Sequence, residues 1–564
     1  MTGELPIGLV LVLGGLVAPL VPKAVRGIFL LALPVLAFVQ LLSLSPGQSV
    51  SVEALGLTLE IVRVDRLSLA FGYIFAIAAL INVIFSWHVR DSSESYVSLV
   101  YAGSALGAVF AGDLITLFVF WEATAIASVV LIWGQGSERA RRAGLRYIIV
   151  QFLSGMLLLA GAAMHYQDAG SVRFDLIGLG SAGGLLILLA FGIKCAFPLL
   201  HNWLQDAYPE ASATATVVLS SFTTKLGIYA LARGFPGTEP LIWIGVAMTA
   251  FPIFYAVIEN DLRRVLAYSI NNQLGFMVVG IGLGTELALN GTVAHAFADI
   301  LFKALLLMSM GAVLFRTGTV KGSELGGLYK SMPLTAGFCI VGAASISAVP
   351  LFSAFVTKSM IMASAAEQGY LWVWLALLFA SAGVVEHAGI KIPFFAFFGH
   401  DSGIRCKEAP LNMLIAMAIA AALCIGIGTY PAALYAILPH PVDYAPFTAS
   451  HVLAQLQLLF FAVLGVFWLM RAGIYPPELR SVNLDSDWFY RRFAPALVRL
   501  AEHGIGFMRS TAMAFVIDAV KGLSSRLLDL HRPSALLART WSTSGMALSV
   551  MVILLAYLLA YYLL

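Results

Sequence analysis

The chain has 564 residues, 60% of them hydrophobic and 11% charged, with a mean hydropathy of +0.91. That balance excludes a soluble fold of this length and implies an integral membrane protein. The net charge of +3 offers no case for a nucleic-acid partner. Cys195, Cys339, Cys406 and Cys424 are scattered without a C-x-x-C, which argues against a disulfide framework or a zinc or iron–sulfur site.

Apolar runs of about 20 residues, the thickness of a hydrocarbon core, recur along almost the whole length. Two fall before residue 45, the first read as a retained span because no basic residue or persuasive cleavage site accompanies it. Further spans are predicted near 66–88, 95–111, 113–133, 145–165, 182–200, 212–233, 240–258 and 265–283. The remainder fall near 291–315, 334–355, 370–398, 410–430, 451–471 and 543–563. Alternate loops differ sharply in charge through the fourteenth span. One set carries fourteen Lys and Arg, among them Arg139, Arg141, Arg142, Arg263 and Arg264; the other carries Arg63, Arg66, Arg173, Arg233 and Lys358. This bias places the first set in the cytoplasm and the N-terminus outside. Residues 472–540 are too polar to span. Val516, Val520, Leu523, Leu527 and Leu530 recur there at helical spacing, as in an amphipathic helix on a membrane surface or a partner, or a mere linker.

A few charges do not fit in loops. Lys194, Lys225, Lys303 and Lys391, with Glu122, Asp299 and Glu386, fall inside apolar runs, where each costs about 2.5–3.5 kcal/mol at a helix centre. Lys194 is followed by Pro198, so its helix is expected to break at depth. Glu122 is the candidate partner of Lys194, as a switchable proton station or as a structural ion pair between helices. Lys225 follows Thr223 and Thr224 as the next station, against the alternative of snorkelling to an interface. His295, Asp299 and Lys303 stand at i, i+4 and i+8, which puts them on one helix face as a ladder suited to a relay. Lys391 lies deep in its span with Glu386 and His387 one turn away, as a last station. His201 and Asp206 lie near a loop, either as accessory groups at the mouth of a path or as a solvated surface. Lys358 is expected to snorkel. Ala196-Phe-Pro-Leu199 is echoed by Ala348-Val-Pro-Leu351, the sense expected of inverted repeats with paired broken helices. No phosphate-binding loop is present, so the energy for moving protons comes from an ion gradient or a partner.

Several stretches carry a resemblance: Phe120-Trp-Glu122, Lys194 with Pro198-Leu-Leu-His-Asn-Trp203, Asp206-Ala-Tyr-Pro-Glu210, Thr224-Lys-Leu-Gly-Ile-Tyr229, Asp261-Leu-Arg-Arg-Val-Leu-Ala-Tyr268 and Asp299-Ile-Leu-Phe-Lys303. They resemble the antiporter-like subunits shared by Mrp-type cation/proton antiporters and respiratory complex I, over roughly residues 65–430, and look most like the Mrp D subunit. Gln205, Ala211–Ala215 and Asn271-Asn272 depart from the pattern.

The resemblance implies an all-α polytopic membrane protein of about 14–16 transmembrane helices, with two inverted five-helix repeats containing broken helices. The chain then divides into N-terminal helices (1–94), a first repeat (95–233), a second repeat (240–400), C-terminal helices (401–471), the amphipathic segment (472–540) and a final helix (541–564). It implies that Glu122 and Lys194 are a coupled pair, Lys225 and Lys303 central relay groups and Lys391 the terminal lysine. It also implies other membrane subunits as partners in a bacterial inner-membrane complex, with protons and Na+ or another monovalent cation as cargo and no cofactor in this chain. Two other settings remain open: a proton-pumping subunit of a redox-driven or hydrogenase-type complex, and an energising subunit for uptake of a solute such as inorganic carbon.

Overall fold

The computed structural model describes residues 6–54, 56–479, 483, 485–530, 532 and 542–563. The chain separates into two compact units, Met1–Asp485 and Ser486–Leu564. The first contains α1 (Leu9–Val17), α2 (Lys23–Leu42), α3 (Arg66–Phe85), α4 (Ser93–Val109), α5 (Leu114–Trp133), α6 (Glu138–Ala169), α7 (Ala182–Lys194), α8 (Asn202–Ala207) and α9 (Ala215–Gly234). It continues with α10 (Pro240–Ile258), α11 (Leu262–Leu283), α12 (Glu286–Thr317), α13 (Pro333–Ile346), α14 (Ser353–Glu367), α15 (Leu371–Phe398), α16 (Leu411–Thr429) and α17 (Ala449–Arg471). The second unit holds α18 (Ala494–Leu530) and α19 (Thr543–Leu563).

Each of the sixteen predicted spans coincides with a helix, and twelve helices among the described residues are long and apolar enough to cross a membrane alone. The all-α polytopic class holds, with one small addition: β1 (Ser49–Ala54) and β2 (Leu57–Arg63) pair as an antiparallel hairpin. Ser49-Val-Ser-Val and Leu57-Thr-Leu-Glu alternate with period two, which suits strands rather than helix. In the 472–540 segment, α18 runs for 37 residues, with Val516, Val520, Leu523 and Leu530 exposed. Residues 480–482, 484, 531 and 533–540 of that segment lie outside the described residues.

The same local devices build α5–α7 and α11–α13. Asp113 caps α5 by accepting from the Ile115 and Thr116 amides, and Asp261 caps α11 by accepting from the Arg263 and Arg264 amides. Such caps satisfy amides that a helix start leaves orphaned. The next helix is 32 residues long in both cases, begins at a capping hydroxyl (Ser137, Thr285) and ends on a left-handed glycine (Gly170, Gly318). The chain then returns to the first cap: the Leu114 amide donates to Val172 O and the Leu262 amide to Val320 O. Next comes a broken helix. Ala196 and Leu199 after α7, and Ala348 and Leu351 after α13, all take positive φ, at 58°, 69°, 54° and 75°. Their turns share one hydrogen-bond pattern, in which the amides of Phe197 and Val349 reach back five residues to Gly192 O and Ala344 O. The helices α4–α9 and α10–α15 thus share one order of local devices, with a broken helix fourth in each set.

Left-handed backbone costs an L-residue about 1–2 kcal/mol. Ala348→Val, which adds a β-branch there, is therefore expected to lower stability by about that amount, whereas Ala348→Gly should hold or raise it. Thermal unfolding of the purified complex reads both.

Burial separates two layers. The apolar windows of α9 and α11 are 100% buried and that of α12 is 94% buried, against 6% for α17. The outer helices present leucine and phenylalanine outward, which suits lipid, while the inner three bury Lys225, Arg263, Asp299 and Lys303.

Candidate functional site

The break after α7 fixes the position of Lys194. Lys194 is the last residue of α7 and is fully buried. Its ammonium donates to Trp121 O at 2.9 Å and Thr124 Oγ1 at 2.7 Å, and lies 4.5 Å from the centre of the Trp121 ring. Trp121 is held in turn by its indole N–H on Ser154 Oγ, 3.0 Å away. Glu122, the expected partner, forms no ion pair with Lys194 in this structure. Its Oε1 is buried without a hydrogen-bond partner and packs against Gly155 of α6. Chemistry suggested the pairing, but Lys194 is satisfied by a main-chain carbonyl and a hydroxyl. The two groups are thus neighbours without a direct bond. A methyl group at Gly155 would overlap the Glu122 carboxylate. Gly155→Ala is therefore expected to displace it and, if Glu122 transfers protons, to slow that transfer by about tenfold or more, as misplacement of a reacting group does. Proton movement by the assembled complex in vesicles measures this.

From α7 the site continues onto α9, because Gly227 lets the backbone of Lys194 and Cys195 pack directly against that helix. Lys225 and Asp299, both fully buried, form an ion pair at 2.7 Å between α9 and α12. Lys225 also donates to Ser220 O. Snorkelling of Lys225 is thereby excluded. The other two rungs of the α12 ladder are also fully buried. His295 Nδ1 lies 3.0 Å from Thr357 Oγ1 and Nε2 3.0 Å from Gln273 Oε1, and Lys303 donates to Ser269 Oγ at 2.8 Å. Both groups thus have neutral hydrogen-bond partners.

Sequence reasoning missed two features. Lys358 does not snorkel: only 3% is exposed, and its ammonium lies 4.7 Å from the centre of the Phe276 ring, which also touches His295 edge-on. The broken α13–α14 pair puts the start of α14 inside the protein, so a lysine that looked close to a span's end lies in the core. Between Lys194 and Lys225 sits a cluster of buried hydroxyls: Tyr147 with Ser128 at 2.8 Å and Tyr101 with Thr223 at 2.5 Å. Ser128 donates back to Thr124 O, beside Lys194. Nothing in one sequence distinguishes these tyrosines from ordinary core aromatics.

The accessory residues are held firmly. Asp206 takes a two-pronged ion pair from Arg146, at 2.6 and 2.9 Å. His201 is not solvated: it is 2% exposed and its Nε2 lies 2.7 Å from Asp485 Oδ2. Glu386 accepts from the Tyr475 hydroxyl at 2.7 Å, and both ring nitrogens of His387 are buried without a hydrogen-bond partner. Lys391 donates to Ala256 O and Val257 O and pairs with Glu478 at 2.9 Å. Here α15 winds in wide π turns over Val385–Ile390 and Phe394–Phe398. Such turns are rare and cluster at functional positions.

Residues 111–383 match a family described as NADH:quinone oxidoreductase/Mrp antiporter, transmembrane. The D subunit of the Na(+)/H(+) antiporter from Alkalihalophilus pseudofirmus is 30% identical over 355 residues, 59% of this chain and 72% of that protein. The NAD(P)H-quinone oxidoreductase chain 4 2 of Microcystis aeruginosa is 25% identical over 459 residues, 77% and 81% of the two chains. The fold is shared with a chain of the Mrp complex from Dietzia sp., at TM-score 0.69 and 23% identity over 76% of this chain and 95% of that one. It is also shared with a chain of an archaeal membrane-bound sulfane sulfur reductase, at TM-score 0.71 and 21% identity over 98% and 99%. Complex I from Thermus thermophilus contains a similar chain, at TM-score 0.69 and 19% identity over 81% and 100%. With its broken helices, buried lysines and these relatives, this multi-pass chain belongs to the transporter-like family that Mrp antiporters share with the membrane arm of NADH:quinone oxidoreductases.

Proposed function

We propose that this chain is the proton-translocating subunit of a multisubunit Mrp-like monovalent cation/proton antiporter of the bacterial inner membrane, with Na+ as the leading candidate cation. The observation that carries the reading is a set of buried ionisable groups running through both repeats. They are Lys194, then Lys225 with Asp299, then Lys303 and His295 with Lys358, and finally Lys391 with His387; the half-buried Glu122 and Glu386 flank the two ends. Groups of this kind are costly in a membrane and mark proton relays. Protons step between lysine amines and carboxylates, with the tyrosine and threonine hydroxyls bridging Lys194 to Lys225. His201 and Asp206 hold the mouth of the path on the side of the basic loops. The 30% identity to a Na(+)/H(+) antiporter protein supports antiport.

A second reading is a pumping subunit of a redox-driven complex. It is favoured by the reach of the fold match, which covers 98% of this chain in the sulfane sulfur reductase but 76% in the Mrp complex. Everted vesicles carrying the native complex separate the two. Addition of Na+, Li+ or K+ should dissipate a preformed ΔpH, and Glu122→Ala and Lys194→Ala should abolish the response in assembled complexes. Silence of the wild type towards every cation would remove antiport and leave the redox-driven reading.

A further inference from the structure

The chain after α17 doubles back onto the second repeat. It turns at Gly473, whose φ is 68°, and the Ile474 and Tyr475 amides donate to Leu469 O. Tyr475 then stacks on Phe395 and bonds Glu386, and three residues later Glu478 reaches Lys391. Both members of that ion pair are buried, with side chains 0% and 7% exposed. The second oxygen of Glu478 is buried without a hydrogen-bond partner and lies beside Gly322, itself buried, in the loop after α12. That glycine adjoins the exposed Lys321. Glu478 thus has one oxygen on the buried amine and a second buried oxygen without a hydrogen-bond partner.

Other titratable groups border the pair. Glu386 and His387 lie on α15 itself, Tyr475 on the returning segment, and Glu259 with Arg264 at the α10–α11 junction. Burial raises the Glu478 carboxyl above its ordinary range, against the pull of the Lys391 ammonium, and neighbouring Glu259 adds to the rise. A carboxyl placed this way binds and sheds a proton more evenly than an exposed one.

We propose that Glu478 is the proton acceptor of Lys391, a group carried into the transport unit by the segment that follows α17. The Lys391 ammonium gives its proton to Glu478 Oε1, leaving a neutral amine and a neutral carboxyl. The carboxyl then passes that proton to water and regains its charge, and the amine is recharged from within the relay. Tyr475 is a positioning residue: its bond to Glu386 and its stacking on Phe395 set the register that brings Glu478 to the lysine. The inference rests on the proton-relay reading above.

The test uses the intact complex in everted vesicles, with assembly measured alongside the rate and pH profile of proton movement, for Glu478→Gln, Glu478→Asp, Lys391→Ala and Lys194→Ala. Glutamine keeps the shape and still accepts from Lys391 but cannot carry a proton. The expected result is an at least tenfold loss of rate in Glu478→Gln with normal assembly, and partial activity with a displaced pH profile in Glu478→Asp. If Glu478→Gln moves protons at the wild-type rate while Lys391→Ala and Lys194→Ala are silent, the relay stands and the role of Glu478 is overturned. If all variants match wild type, the relay reading falls and the inference with it. Should Glu478→Gln fail to assemble, an unchanged pH profile in Glu478→Asp overturns the proposal.

Discussion

Asp299→Ala is expected to be the most damaging single substitution in the bundle. Asp299 and Lys225 are both fully buried and 2.7 Å apart. Removing one member of such a pair leaves an uncompensated charge, which typically costs about 3–5 kcal/mol. Lys225 escapes that cost only by losing its proton, which would end its part in the proposed relay. Yields of assembled complex and its thermal stability should therefore fall together with proton movement. The paired replacement Lys225→Met with Asp299→Leu behaves differently, because exchanging a buried ion pair for apolar groups of similar volume is often neutral or stabilising by about 1–4 kcal/mol. It should restore assembly and leave transport absent. Wild-type yield and stability for Asp299→Ala alone would show that the pair is not what balances these charges.

The second large effect is at Lys194. Lys194→Met retains much of the side-chain volume and removes the amine from Trp121 O and Thr124 Oγ1. Thr124 has its own bond to Trp121 O, so no hydroxyl is stranded. Assembly should survive, while proton movement falls by about a hundredfold or more, the scale of losing a proton-transfer group. Lys194→Arg sharpens the distinction. A guanidinium keeps the positive charge and cannot release its proton in a protein. A structural cation would be satisfied by arginine; a proton station would not. Loss of transport in both variants supports the station, and near-normal transport in Lys194→Arg would sink it.

The membrane architecture was legible because each span is an apolar run and each break carries a proline: Pro198 and Pro350 stand in the two turns that share one backbone path. The positive φ at Ala196, Leu199, Ala348 and Leu351 was not legible, since neither residue type favours it. The hairpin at 49–63 was overlooked because two short strands between spans are a weak signal beside runs of twenty apolar residues. Among the site residues, burial of Lys194, Lys225 and the α12 ladder followed from their apolar surroundings, and helical spacing placed His295, Asp299 and Lys303 together. Pairing did not follow. Lys225 finds Asp299 on α12, Lys391 finds Glu478 and His201 finds Asp485 across long stretches of chain, contacts that only tertiary packing brings about. Lys358 was misjudged because distance from a span's end in sequence measures depth only in an unbroken helix.

The account stands most directly on proton movement by an assembled complex whose Lys225–Asp299 pair is replaced by Lys225→Met with Asp299→Leu. The measurement is the initial rate of pH change in everted vesicles, under whichever cation gradient or electron donor drives the wild type, normalised to assembled complex. The account predicts normal assembly and no proton movement above that of empty vesicles. A wild-type rate from the fully assembled double variant would contradict it, because protons would then cross without the ionisable groups at the centre of the bundle.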